Sequence, residues 1–243
     1  MNPKYIFCST THFSGSKVLS FAFGFSKDFL SVNGSFPDLC GERSQKEVDS
    51  LIHQFTKERY FESNPNFIEY SARSVCQSFP SNTAIIHLIN NPIIVSLNLD
   101  KNNFKKYSLL SLEPGSNIIE PNFLKLREYQ HSFFKNLWYC FEIYVRTKEL
   151  ISRYRNIKHY VFFSKWFLIS FEIKSLLKSL KVKIENDKIE SIKEAYKAEE
   201  DIFYSTKFNI SLDEAMKMAL RFVDRIGGQF MLSKEECLQL LEL

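Results

Sequence analysis

Three places in this chain hold side chains whose types and spacing suit chemistry. In Arg153-Tyr154-Arg155-Asn156-Ile157-Lys158-His159 a histidine, the side chain that changes charge near neutral pH, follows an arginine by six positions. In Glu172-Ile173-Lys174 a carboxylate and an ammonium stand two positions apart. Cys8 and His12 flank the end of an apolar run, Tyr5-Ile6-Phe7-Cys8, where α/β enzymes place nucleophiles or phosphate loops. The polar turn there, with Ser9, Thr10, Thr11, Ser14 and Gly15, has backbone N–H groups for an anion, but a buried thiol and a plain turn are the simpler account. No G-x-G-x-x-G, G-x-x-x-x-G-K-[ST] or G-x-S-x-G occurs, and no cysteine or histidine cluster has zinc spacing.

The first two motifs resemble known families. The Arg153…His159 spacing resembles the signature of HEPN-type ribonucleases, helical domains that cleave RNA without metal. That resemblance implies that Arg153 stabilises phosphate charge and His159 shuttles a proton during attack of the ribose 2′-hydroxyl. The Glu172/Lys174 triplet looks like half of a PD-(D/E)xK nuclease site, which implies Mg²⁺ on the carboxylate and a lysine steadying water, with Asp38 as the upstream acid. An exposed pair on an amphipathic helix accounts for that triplet more simply.

Charge supplies a further candidate. Residues 1–120 are neutral, residues 121–183 carry a net charge of +9, and residues 184–243 carry −5. Lys125, Arg127, Lys135, Arg146, Lys148, Arg153, Arg155 and Lys158 would form a basic surface for nucleic-acid phosphates, with Tyr129, Trp138, Tyr144, Tyr154 and Tyr160 placed to stack on bases. Alternatively the acidic final segment folds back on the basic one and the charges pair within the chain, at about 0–1 kcal/mol per surface pair.

The elements that must position these residues follow from periodicity. Strands are expected at Val18–Phe25, Thr83–Ile89, Pro92–Leu99 and Tyr107–Leu112, with a turn at Asn33-Gly34. A capping box at Ser44–Glu47 precedes a helix, and a second amphipathic stretch follows Pro65. Pro114-Gly115-Ser116-Asn117 marks a boundary. Beyond it helices are expected over 123–155, 161–182 and 188–204, then after capping boxes at Ser211–Glu214 and Ser233–Glu236, with Gly227-Gly228 between. The expected fold class is therefore α+β: a mixed strand/helix unit over 1–120, then an all-helical unit over 121–243, packed separately or as one continuous domain.

Composition narrows the setting. Phe is abundant, at 24 residues, whereas Gly and Pro number 7 each, which disfavours a many-stranded sandwich. Five scattered cysteines argue for reduced thiols and a cytoplasmic location. No signal-like leader or membrane span is expected, since the most apolar stretch, Tyr160–Ile173, is short and carries Lys165 and Glu172. That aromatic helix either fills a core or meets a protein partner or a second copy. The expected function is a non-catalytic interaction subunit of a larger cytosolic assembly, touching RNA or DNA through 121–183, with no cofactor. The alternative is a nucleic-acid-cleaving enzyme using Arg153/His159, or less readily Glu172/Lys174.

Overall fold

The computed structural model describes residues 2–11, 15–33, 45–65, 67–78, 81–102, 118–228 and 232–242. Among them are five strands: β1 (Tyr5–Thr10), β2 (Phe29–Asn33), β3 (Arg59–Asn64), β4 (Thr83–Ile89) and β5 (Lys158–Phe163). They form one parallel sheet in the order β2-β3-β1-β4-β5. β1 is buried along its whole length, as a central strand covered on both faces must be. The chain divides into two units, one of residues 1–89 and 150–204 and the other of 90–149 and 205–243.

The first unit holds the sheet. Parallel strands need crossovers, and the segment after β1 supplies one as α1 (Ser16–Gly24) rather than the expected strand. Val18, Leu19, Ala22 and Phe23 of α1 pack on Ile6, Cys8, Phe61 and Ile86 of the sheet. On the same face lie Leu176 and Leu177 of α6 (Ser170–Ser179) and Ile192 and Tyr196 of α7 (Asn186–Tyr204). The opposite face carries Tyr5, Phe7, Tyr60, Ile85 and His87. There α2 (Gln45–Gln54) sends Asp49 to Lys4 (2.5 Å) and to the Tyr5 hydroxyl (2.7 Å). Phe7 stacks on Phe67, which lies in a π-helical turn, Phe67–Ser71, that leads into α3 (Ala72–Ser78).

The second unit is helical: α4 (Pro92–Lys101), residues 132–149 of α5 (Ser132–Arg153), α8 (Leu212–Ile226) and α9 (Lys234–Leu241). The expected strand at 92–99 is a helix because Asn91 caps it, accepting from the N–H groups of Ile93 (2.8 Å) and Ile94 (3.4 Å), with Pro92 at the first position. Its buried residues lie all round, so its apolar run had no helical stripe to read. Ser211 and Ser233 cap α8 and α9 as expected. Within this unit Glu142, wholly buried, accepts from the N–H groups of Ile118 (3.0 Å) and Ile119 (2.7 Å) and from Arg146 (2.7 Å).

The all-helical expectation for 121–243 is corrected by β5. Residues 158–163 extend the sheet at its edge, paired from Ala84↔Lys158 to Ile89↔Phe163. The run His159-Tyr160-Val161-Phe162-Phe163 is aromatic and β-branched, which suits a strand, and an open β4 edge decides a choice that a short apolar run leaves ambiguous. The expected helices over 123–155 and 161–182 shrink to α5 and α6, each preceded by 3-10 turns. The expected strand at 107–112, the cap at Ser44 and the Pro114–Asn117 boundary lie outside the described residues. No helix of the described residues is long and apolar enough to cross a membrane.

Candidate active site at the end of the parallel sheet

β1 and β4 are neighbours, but the chain leaves them in opposite directions across the sheet, β1 toward β2 and β4 toward β5. Such a switch point opens a crevice at the carboxyl ends of the strands, where parallel α/β sheets bind their ligands. β1 ends there in Ser9 and Thr10, both buried, followed by the half-buried Thr11. The Thr10 hydroxyl donates to the Thr11 carbonyl (3.0 Å), tightening the turn.

The chain enters α1 through Gly15, at φ +81°, a left-handed conformation that costs any residue with a Cβ about 1–2 kcal/mol. A Cβ at Gly15 would also lie 3.1 Å from the Phe167 ring and 3.3 Å from the Tyr196 ring. Gly15 is thus seated against two core aromatics. No side chain caps α1, and its first internal hydrogen bond of the turn runs from Leu19 N–H to Gly15 O (3.1 Å). The N–H groups of Ser16, Lys17 and Val18 therefore have no acceptor within the helix, and no acidic residue stands in its first turn. Lys17 is exposed beside Glu199 of α7, whose carboxyl is raised by burial while the Lys17 ammonium opposes the rise. The arrangement is a glycine-bounded cradle of N–H donors at the positive end of a helix that carries the exposed Lys17 in its first turn. Chemically it holds phosphate or sulfate oxygens.

The residues singled out in the sequence take other places. Cys8 is buried and its thiol is pushed up to about 12 by burial, so it is not a nucleophile near neutral pH. His12 and Asp38 lie outside the described residues. Arg153 is the last residue of α5, and His159 sits on β5 with both ring nitrogens engaged. Its Nε2 lies 3.0 Å from the Tyr154 carbonyl and its Nδ1 lies 2.9 Å from Nε2 of His87 on β4. A carbonyl only accepts, so Nε2 of neutral His159 carries the proton, His87 donates from Nε2, and the bare Nδ1 of His87 is left buried without a partner. Burial, helped by His159, pushes His87 down to about 3, and burial lowers His159 as well. Glu172 and Lys174 lie on α6, a helix and not a strand. Of the basic set, Arg146 pairs with Glu142 and Lys148 with Glu236 (2.9 Å) of the acidic segment. Lys125 and Arg127 lie in 3-10 turns, Lys135 on α5, Arg155 just beyond it and Lys158 at the start of β5. The aromatic stretch 160–173 is split among β5, a 3-10 turn and α6. Phe162 and Phe167 are core, whereas Phe171 is 74% exposed. No group of three or more metal-binding side chains occurs among the described residues.

No protein-family model and no characterised sequence matches the chain. Among solved structures it is similar to the sulfotransferase domain from the curacin biosynthetic pathway, with 10% identity, 76% of each chain covered and a TM-score of 0.56. It is also similar to the sulfotransferase from Alicyclobacillus acidocaldarius, with 14% identity over 100% of this chain and 96% of that one and a TM-score of 0.52. The sulfotransferase domain from the Synechococcus PCC 7002 olefin synthase gives 9% identity, coverage of 91% and 94%, and a TM-score of 0.53. The fold is that of the sulfotransferases. This α/β architecture overturns the expected mixed unit followed by a helical bundle. With it go the non-catalytic subunit contacting nucleic acid and both nuclease alternatives. A HEPN domain is helical, whereas His159 here lies on a strand of a parallel sheet, and the Glu172/Lys174 pair stands on the surface of a helix.

Proposed function

We propose that the chain is a sulfuryl-transfer enzyme working at the carboxyl ends of β1 and β4. The observation that carries this reading is the cradle formed by Gly15, the N–H groups of Ser16, Lys17 and Val18, which have no acceptor within the helix, and Lys17, set at the switch point of a sulfotransferase-like sheet. The absence of G-x-x-x-x-G-K-[ST] after β1 weighs against a nucleoside-triphosphate hydrolase on the same type of sheet.

A phosphosulfate anhydride suits such a cradle because its transfer needs little covalent help from protein. The acceptor's lone pair attacks sulfur, the bond to the bridging oxygen breaks, and negative charge grows on the leaving phosphate. The α1 N-terminus and Lys17 place positive potential where that charge develops, an arrangement that favours the transition state over the ground state. Gly15 keeps the N–H groups aligned by holding the left-handed turn against Phe167 and Tyr196. Four described cysteines are free and buried, which supports work in a reducing compartment.

The test is transfer of radiosulfur from a labelled phosphosulfate donor to a panel of hydroxyl and amine acceptors. Lys17→Ala is expected to lower kcat/KM by roughly 10²-fold or more, the scale of losing one preorganised charge partner. A purified chain that neither binds nor discharges the donor would overturn the reading.

A further inference from the structure

A cavity lies at the other end of the same sheet, in the first unit. It has a volume of about 400 Å³, and its rim carries Lys174, Lys178, Lys181 and Lys183. Its floor is apolar, made by the buried Leu177, Val182 and Ile189. Asn2, just ahead of β1, also borders it, so the cavity is at the amino ends of the strands, away from the cradle.

Three observations bear on this cavity. First, the turn that carries Lys181 is the C-terminal cap of α6: Lys181 has φ +56° and Val182 N–H closes the turn on the Leu177 carbonyl (2.8 Å), which fixes where the Lys181 side chain leaves the helix. Second, that turn is clamped by a buried arginine. Arg59, at the start of β3, donates from Nη1 to the Lys181 carbonyl (2.9 Å), from Nη2 to the Leu180 carbonyl (2.7 Å) and from Nε to the Pro3 carbonyl (2.9 Å). Arg59 is 8% exposed, and its guanidinium carbon lies 4.2 Å from the Phe29 ring centre. Third, no carboxylate lines the cavity, and none of the four lysines has an acidic partner among the described residues. Lys174 and Lys178 are one helical turn apart on α6, where like charges repel. Asn186, the first residue of the long helix α7, brings that helix's N-terminus to the same space, with Asp187 of its first turn paired to Lys188 (3.1 Å).

Four exposed ammonium groups and a helix N-terminus around one cavity favour a multiply charged anion, and the apolar floor favours an apolar group beside it. We propose that this cavity binds a ligand carrying a diphosphate, or an equivalent pair of phosphate or sulfate groups, on a short apolar body. The volume is that of a small-molecule site. The ligand is either a free metabolite or the headgroup region of an anionic lipid, since both present the same chemistry. The proposal does not depend on the sulfuryl-transfer reading.

The experiment uses the full chain and calorimetric titration with geranyl diphosphate and, separately, inorganic pyrophosphate. Co-sedimentation with phosphatidylcholine vesicles, with and without phosphatidic acid, forms the lipid arm. The expected result is binding of geranyl diphosphate more than about tenfold tighter than pyrophosphate, since each buried methylene contributes about 0.8 kcal/mol. Binding should weaken as salt rises. The Lys178→Glu/Lys183→Glu double variant should lose binding about tenfold or more, while Lys17→Glu at the other site should retain it. Both lysines are exposed, so the double variant folds, as circular dichroism will check. Sedimentation with phosphatidic acid vesicles that the double variant loses would identify the lipid source; tight geranyl diphosphate binding without sedimentation would identify the free one. The proposal fails if neither probe binds, if pyrophosphate binds as well as geranyl diphosphate, if the double variant binds unchanged, or if Lys17→Glu abolishes binding.

Discussion

Replacing Gly15 by alanine tests the cradle directly, because two separate costs meet at that position. The left-handed φ of +81° makes a Cβ unfavourable by about 1–2 kcal/mol. The new methyl would stand 3.1 Å from Phe167 and 3.3 Å from Tyr196, inside the ordinary contact distance of about 3.5–4.0 Å. Those rings are 1% and 8% exposed and are packed in the core, so moving them costs roughly a further 1 kcal/mol. The sum, about 2–3 kcal/mol, corresponds to a drop of roughly 1 M in the urea midpoint at an m-value of about 2–3 kcal/mol/M. Gly24, at the last position of α1, is the control, since a Cβ there meets nothing within 4 Å. Gly24→Ala is expected to leave the midpoint unchanged or raise it by the equivalent of about 0.5–1 kcal/mol. If Gly15→Ala instead escapes by reshaping the turn, stability is preserved but the Ser16–Val18 N–H groups move, and donor affinity measured by calorimetry falls. A Gly15→Ala protein matching Gly24→Ala in both midpoint and donor affinity would refute the argument.

Other consequences follow from the buried polar groups. His87 has its folded pKa pushed down to about 3 and that of His159 is also lowered, so the unfolded chain binds more protons than the folded one below pH 6.5. Stability should therefore fall as pH drops from 6.5 toward 3, by up to about 1.4 kcal/mol per pH unit for each group, and urea midpoints for His87→Leu should show a shallower slope; an equal slope would count against the assignment. Glu142→Ala removes the acceptor of the half-buried Ile118 N–H, the buried Ile119 N–H and one Arg146 hydrogen bond, and should cost about 2–3 kcal/mol in a denaturation series, whereas a loss under about 1 kcal/mol would contradict the described geometry. The thiols of Cys8, Cys76 and Cys140 are pushed up to about 12 and that of Cys237 to about 11, so peptide mapping after alkylation of the native protein at pH 8 should leave all four unmodified; labelling at the rate of a free thiol would refute their burial.

Parts of the fold were legible in the sequence and parts were not, for separable reasons. Local signals read correctly: Ser211 and Ser233 cap their helices through the N–H groups of Glu214 and Glu236, and Thr83–Ile89 is a strand. What failed was decided by distant partners. Ile93-Ile94-Val95 has the vocabulary of a buried strand, but the side chain of Asn91 and the ring of Pro92 start a helix there. His159 and Tyr160 fell in the gap between two expected helices and Val161–Phe163 at the start of the second, and only the open edge of β4, some seventy residues earlier in the chain, makes the segment a strand. Two helices read as strands, at 18–25 and 92–99, and the unread strands β2, β3 and β5 together turned a parallel sheet into an apparent mixed unit followed by a bundle. The order β2-β3-β1-β4-β5 is a property of five separated segments, and no single window contains it.

The same logic explains why the candidate site was undervalued. Thr10, Thr11 and Gly15 were visible as a polar turn after an apolar run, but a turn becomes a cradle only when it sits at a switch point and its glycine is held against core aromatics. Phe167 and Tyr196 hold it, from parts of the chain about 150 and 180 residues away. His159 and Arg153 drew notice because they are close in sequence and chemically familiar, yet the ring nitrogens of His159 are spent on Tyr154 and His87. Lys174 drew notice for the same reason, as half of a nuclease triplet. Its neighbours in the fold are Lys178, Lys181 and Lys183, and what joins them is Arg59, which anchors the turn from the opposite half of the chain. Proximity in sequence thus pointed His159 to the wrong partner, whereas the four lysines all lie within residues 174–183 and what the sequence did not show was the Arg59 anchor of their turn. A buried guanidinium holding a lysine in a left-handed turn, with no carboxylate lining the cavity beside it, is the feature that sequence spacing could not express and that binding experiments can now address.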